Sequence, residues 1–144
     1  MSDMRPELSK KNPYYIDKNR YYELKYYCLQ YPEWKKKQAA IDGCVGKRID
    51  IFRNSNIEFS DPTFGSVKAR SYYTDNIKTV EDAASLADPV LREYILKGVT
   101  LGLSYSILQA RYTIPCGRDM YYDRYRRFFW ILDILKNKYV RDWN

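Results

Sequence analysis

The chain has 144 residues, of which 45% are hydrophobic and 30% charged, a composition typical of a globular protein rather than a disordered one. It contains no histidine, which excludes Ser-His, Cys-His and His-metal chemistry, and its three widely spaced cysteines predict neither a zinc site nor a disulfide framework. The formal net charge of +7 is concentrated at the two ends, with net +5 over residues 1–48 and net +4 over residues 109–144, which suits a polyanionic partner such as nucleic acid.

The N-terminal part of the chain predicts two helices and a connection. Asn12 is a suitable cap, and Pro13 suits the first position of a helix that is rich in tyrosine. Pro32 ends this helix, because the residue before a proline avoids the helical conformation, and it opens a short second helix. Residues 42–60 contain two glycines and two asparagines and predict an irregular connection. The tyrosine stripe of the first helix predicts a face that packs into the core. This face is wide enough to leave surplus apolar surface, which a helical homodimer would bury.

Two Asp-Pro pairs predict later helix starts. Asp61 caps a long helix with Pro62 behind it, and Asp88-Pro89 repeats the same signal. The helix that follows the second pair is predicted to end at Gly98, since glycine commonly terminates helices.

The C-terminal part predicts a short helix, a turn and a long helix. Ser104 caps the short helix "YSILQARY", Pro115 interrupts the chain, and Cys116 or Gly117 opens the last helix. The sequence therefore predicts an all-α protein with about six helices. A helical Tyr/Lys-rich N-terminal region, residues 1–59, precedes a long helix and a helix-turn-helix DNA-binding region, residues 60–144.

The order of the last three helices is that of a DNA-reading helix-turn-helix with a support helix in front of it. One stripe of the last helix is apolar at helical spacing and predicts burial: Tyr121, Tyr125, Phe128, Leu132 and Leu135. A second face carries the candidate base-contacting residues, namely Arg118, Asp119, Tyr122 and Arg126. Candidates for phosphate contacts are Arg111, Arg124 and Arg127. The alternative is a basic amphipathic helix whose arginines only pair with Asp119, Asp123 and Asp133 at helical spacing.

The stretch "LREYILKGVTLGLSYSILQARYTIPCGRDMYYDRYRRFFWIL" resembles a known family. It is similar to the C-terminal helix-turn-helix of the phage late-gene activators of Gram-positive bacteria, of the ArpU and RinA type. The "SDPT" helix start and the "GLS" before the first reader helix carry the resemblance, as does the recognition helix with Arg118, Tyr121, Tyr122 and Arg126. Pro115 in the turn, and the lack of acidic residues in the first reader helix, depart from the family pattern.

The resemblance implies a bacterial cytoplasmic protein that binds double-stranded DNA sequence-specifically beside a prophage promoter and contacts host RNA polymerase. Cytoplasmic location and the lack of membrane association are also expected from the sequence, since it has no signal-peptide pattern and no apolar run of about 20 residues. Two alternatives remain open. One is a small terminase-like DNA-packaging protein, and the other is a phage protein that inhibits a host nucleic-acid enzyme by protein contact.

No catalytic constellation, cofactor motif or metal-ligand set is predicted, and the protein is expected not to be an enzyme. Glu81 and Asp82 point to different sides of one helix, and "DPTFGS" lacks the glycine spacing of a phosphate loop. Cys116 lies at a helix start beside Arg118, where its thiol pKa could fall, but without histidine a packing role is favoured. The stretch "WKKKQ" predicts either a second phosphate or stacking patch or, preferentially, a solvated helix face with Trp34 turned inward.

Overall fold

The computed structural model describes the backbone of residues 12–54 and 62–142, and the side chains of residues 12–43 and 67–137. These ranges contain helices and turns but no strand, and the all-α prediction is confirmed. The helices are α1 (Lys18–Leu29), α2 (Tyr31–Asn54), α3 (Pro62–Ala87), α4 (Arg92–Leu101), α5 (Tyr105–Tyr112) and α6 (Arg118–Asp142).

The first helix begins later than the sequence predicted. Asn12 does not cap it: its Oδ1 accepts the backbone N–H of Tyr14 at 2.8 Å, and its carbonyl accepts the N–H of Tyr15 at 3.1 Å. Asparagine side chains form such local turns readily, and the turn delays the helix to Lys18. The break at the other end is as predicted, because only Gln30 separates α1 from α2 and Pro32 lies in the first turn of α2.

The predicted connection over residues 42–60 is wrong in its first part, because α2 continues to Asn54. Gly43 lies inside the helix, and a Cβ placed there would meet nothing within 4 Å. A single exposed glycine costs a helix only about 1 kcal/mol relative to alanine, which neighbouring helical residues offset. Asp61 and residues 55–60 lie outside the described residues, so the predicted cap at Asp61 is not observed, although α3 does begin at Pro62.

The chain divides into two compact units, Met1–Gln30 with Thr79–Asn144, and Tyr31–Lys78. The predicted boundary near residue 59 does not coincide with either division. In the first unit α1 packs against α4 and α6. The tyrosine stripe of α1 is partly core: Tyr21 is fully buried with Leu24 and Cys28, whereas Tyr26 is 64% exposed.

Helix α4 passes through Gly98 and ends at Leu101 with Gly102 as its C-cap, so the predicted stop is wrong by about one turn. Gly102 has φ +69°, the left-handed conformation that glycine adopts most easily. Gly98 serves packing instead, because a Cβ there would lie 2.2 Å from Oη of Tyr121. The Asp88-Pro89 signal marks a turn before the helix: Oδ1 of Asp88 accepts the N–H groups of Val90 and Leu91, and α4 begins at Arg92.

Candidate nucleic-acid interface

Helices α5 and α6 with the turn between them form the predicted helix-turn-helix arrangement. Ser104 Oγ accepts the N–H of Ile107 at 3.4 Å, which confirms the predicted cap of α5. Thr113 ends α5 with φ 51°, an uncommon conformation for a β-branched residue. The hydroxyl of Tyr105 donates to the carbonyl of Cys116 at 2.7 Å, so that the start of α5 holds the end of the turn.

The predicted apolar stripe of α6 faces the first unit's core. Tyr121, Phe128 and Leu132 are fully buried, while Tyr125 and Leu135 are partly buried. Burial raises the pKa of the Tyr121 hydroxyl, and its Oη has no hydrogen-bond partner among the described atoms. The hydroxyl therefore stays neutral and serves packing against α4.

Tyr122 does not lie on the outer face of α6, and this part of the predicted reading face is wrong. Its side chain is 4% exposed, its Oη accepts the N–H of Tyr105 at 3.4 Å, and its ring contacts those of Tyr121 and Tyr125. The Arg118 guanidinium lies 5.7 Å from its ring centroid. The buried side of α6 is wider than a single stripe. Because α6 packs against both α1 and α4, it needs apolar side chains along more than one line of the helix.

Arg124 is held inside the fold by two carboxylates. Its Nε donates to Oδ2 of Asp88 at 3.0 Å, and its Nη1 donates to Oδ2 of Asp123. The hydrogen bond that Arg124 donates to Asp88 raises the pKa of Arg124. Because Asp88 also caps the turn before α4, this pair ties α6 to the support helix. Arg124 is therefore occupied as a structural residue rather than presented to a ligand.

The remaining candidate arginines differ from Arg124 in having no acidic partner among the described side chains. Within the described side chains, ion pairs engage Arg20, Arg70, Arg92 and Arg124. No carboxylate pairs, in the same ranges, with Arg111, Arg118, Arg126 or Arg127. Arg111 and Arg118 are exposed, whereas Arg126 and Arg127 are half-buried and their Nε atoms find no hydrogen-bond acceptor there. The unpaired arginines of the chain's described part thus concentrate on α5 and α6.

The exposed face of α6 also holds residues that sequence reasoning missed. Met120 is 46% exposed, Trp130 36% and Ile134 47%, and Asp119 is exposed as predicted. Trp130 contacts the ring of Tyr14 at 5.6 Å between centroids. This face could have been identified from helical spacing, which places positions 119, 123, 126, 130 and 134 on one side of α6. That identification required Tyr122 to be assigned to the buried side.

Helix α1 fixes the C-terminal half of α6. Arg20 Nε donates to Asp133 Oδ1 at 2.6 Å, and the hydroxyls of Tyr21 and Tyr125 share a hydrogen bond at 2.7 Å. Lys136 Nζ lies 3.6 Å from the ring centroid of Tyr27, and burial lowers the pKa of this lysine, as does the nearby Arg20. Asp133 and Lys136 of α6 are thus used in packing against α1.

The two described thiols, Cys28 and Cys116, give no reactive site. Burial, with a further contribution from Asp88, raises the pKa of Cys116, so its position before α6 does not activate it. Burial also raises the pKa of Cys28. Among the described residues no cluster of His, Cys, Asp and Glu could hold a metal ion, and no helix is long and apolar enough to cross a membrane.

Comparisons with protein-family models, curated proteins and solved structures found no match to this chain.

Proposed function

We propose that the protein is a phage or prophage DNA-binding transcriptional regulator of the late-gene activator type, with α6 in the major groove of duplex DNA. The observation that supports this most strongly is the distribution of arginine. The four described arginines without an acidic partner all lie on α5 and α6, in the helix-turn-helix, while those elsewhere are paired. Unpaired guanidinium groups are available to phosphates and to guanine edges.

The proposal assigns different roles to these residues. Arg118 and Asp119 lie in the first turn of α6, the part of a recognition helix that meets base edges, and Arg126 lies two turns further on. Arg111 at the end of α5, and Arg127, supply phosphate contacts. Tyr122 and Arg124 are omitted from the reading face, because the first is buried and the second is paired with Asp88.

A binding titration against the DNA upstream of the protein's own gene and of the late operon tests the proposal. Specific binding should weaken by about a factor of 10³ or more between 50 and 200 mM salt if six or more phosphates are contacted. Arg118→Ala should cost about 1–3 kcal/mol at the preferred site and little on random DNA if Arg118 reads a base. An equal loss on both duplexes would make Arg118 a phosphate contact.

The matched control is Lys18→Ala, which removes an exposed charge from α1 and should leave both affinities unchanged. Absence of salt-dependent duplex binding by the wild-type protein would refute the proposal. Sedimentation of the protein alone distinguishes the packaging alternative, since a small terminase forms a ring of many subunits. A dimer would instead predict palindromic half-sites.

A second candidate function is inhibition of a host nucleic-acid enzyme by protein contact. It is favoured by Trp130 and Ile134, which are exposed on the same side of α6 as Arg127. Tryptophan and arginine are the residues that most often dominate protein interfaces. Trp130→Ala would then abolish enzyme inhibition, whereas a DNA reader would retain its operator affinity in this variant.

A further inference from the structure

The unit Tyr31–Lys78 carries a basic surface that the proposed reading helix does not use. In this unit α2 and α3 run antiparallel, since Gln38 Nε2 donates to Thr74 Oγ1 and Arg70 Nε donates to Asp42 Oδ1, each at 2.6 Å. Trp34 is buried, as the sequence favoured, with 3% of its side chain exposed. The exposed part of "WKKKQ" therefore consists of its lysines.

The described side chains of this unit carry more positive than negative charge. The described side chains, residues 31–43 and 67–78, include six basic and three acidic groups. Asp42 is bound by Arg70, and Glu33 lies 3.8 Å from Lys36. Three further lysines are exposed and have no carboxylate partner in these ranges: Lys37, Lys68 and Lys78. A surface of this kind is complementary to a polyanion.

The tyrosines of the unit indicate which kind of polyanion it fits. Lys35 Nζ lies 5.5 Å from the ring centroid of Tyr31, and Lys37 Nζ lies 5.7 Å from that of Tyr73. Tyr72 contacts Tyr73 edge to face, with centroids 5.4 Å apart. Proteins that bind single strands need open ring faces on which bases stack. Tyr72 is 57% exposed, but ammonium groups lie near the other two rings, so the surface offers more lysines than open ring faces and suits the phosphates of a duplex better than unstacked bases.

We infer that the α2–α3 unit binds the phosphate backbone of duplex DNA without reading its sequence, through the exposed lysines of both helices. This inference rests on the proposed function, because it assigns to the same DNA a second, sequence-independent contact. Lysine ammonium groups on flexible stems suit phosphates and carry little base specificity. Each lysine that meets a phosphate releases a counterion, and its contribution appears in the salt dependence of binding.

The test uses the full chain and a random-sequence duplex, with affinity measured by fluorescence anisotropy between about 50 and 200 mM salt. In the double variant Lys37→Gln/Lys68→Gln, the slope of log affinity against log salt should fall by about two units, since each phosphate contact contributes about 0.9. Lys37→Arg/Lys68→Arg should restore the slope. Lys18→Gln on α1 is the control and should leave it unchanged.

Each other result has a defined meaning. If the wild-type protein binds duplex DNA but the double variant keeps the full slope, the inference is refuted and the proposed function stands. If Lys18→Gln lowers the slope as much per lysine, the contact does not belong to α2 and α3 specifically, and the inference is also refuted. Tighter binding to oligo(dT) than to the duplex would refute the inference and indicate that unpaired bases stack on the unit instead. Absence of duplex binding by the wild-type protein would overturn the inference and the proposed function together.

Discussion

Gly98→Ala is expected to destabilise the fold although it replaces glycine by the best helix former in the middle of α4. The new Cβ would lie 2.2 Å from Oη of Tyr121, 3.4 Å from its Cζ and 3.5 Å from the carbonyl of Leu103. Tyr121 is fully buried, so its ring has little room to withdraw. Overpacking of this kind costs about 1–3 kcal/mol, against a gain of about 0.5–1 kcal/mol in helix propensity. The free energy of unfolding should therefore fall by up to about 2.5 kcal/mol, with a central value of about 1 kcal/mol.

A double-mutant cycle isolates the clash. In Tyr121→Phe the hydroxyl is removed, and the nearest atom to a Cβ at position 98 is then Cζ at 3.4 Å, an ordinary contact. Tyr121→Phe alone should be nearly neutral, because the hydroxyl it removes has no hydrogen-bond partner among the described atoms. Gly98→Ala/Tyr121→Phe should recover the loss, with a coupling energy of about 1–3 kcal/mol.

Urea denaturation, followed by circular dichroism, measures the free energy of unfolding of the wild type, the two single variants and the double variant. The matched control is Gly43→Ala, where a Cβ meets nothing within 4 Å, and this variant should gain about 0.5–1 kcal/mol. Additive effects of the two substitutions, or a Gly98→Ala protein as stable as Gly43→Ala, would show that α4 and the Tyr121 ring do not approach each other as described.

Three further predictions concern stability. Ser104→Ala should lower the free energy of unfolding by about 0.5–1 kcal/mol, because α5 loses its cap, and thermal denaturation would show it; an unchanged melting temperature would contradict the cap. Since burial raises the pKa of Tyr121 above its usual 10.0, its hydroxyl ionises more readily in the unfolded chain, so this group does not lower the free energy of unfolding below pH 10 but lowers it increasingly as the pH rises further. Urea midpoints across this pH range should fall less in Tyr121→Phe than in Tyr72→Phe, whose ring is 57% exposed; equal falls would refute the assignment. A fragment of residues 60–144 should lack a cooperative unfolding transition, which a fragment of residues 12–144 should retain, because the former loses α1.

Local signals in the sequence predicted most of the helical order. Pro32, Pro62 and Ser104 each act within one turn of the backbone, through a fixed φ or a side-chain hydrogen bond, so their effects are readable without tertiary contacts. The errors at Gly43 and Gly98 have the opposite origin. A glycine in a helix is only weakly unfavourable, and whether it ends the helix depends on what packs beside it, which for Gly98 is the ring of a residue 23 positions later.

The candidate interface was only partly predictable for a related reason. Helical spacing identified the stripe through Tyr121 and Phe128 correctly, since one packed neighbour requires one apolar stripe. It placed Tyr122 on the outer face, because the sequence did not show that α1 also packs on α6. The pairing of Arg124 with Asp88, 36 residues away, likewise depends on the turn before α4 and cannot be derived from spacing within α6.

The position of α1 changes how the helix-turn-helix should be understood. A recognition helix that protrudes from a three-helix domain is stabilised by its two predecessors alone. In this chain Tyr21 of α1 contacts Phe129 and Tyr125 of α6, and Arg20 holds Asp133, so α6 is also supported from the N-terminal side. With Tyr122 buried, the exposed Asp119 and the half-buried Arg126 lie on the outer side of α6. If α6 reads DNA as proposed, a substitution in the core of α1, far from any base or phosphate, should alter DNA affinity by shifting the axis of α6.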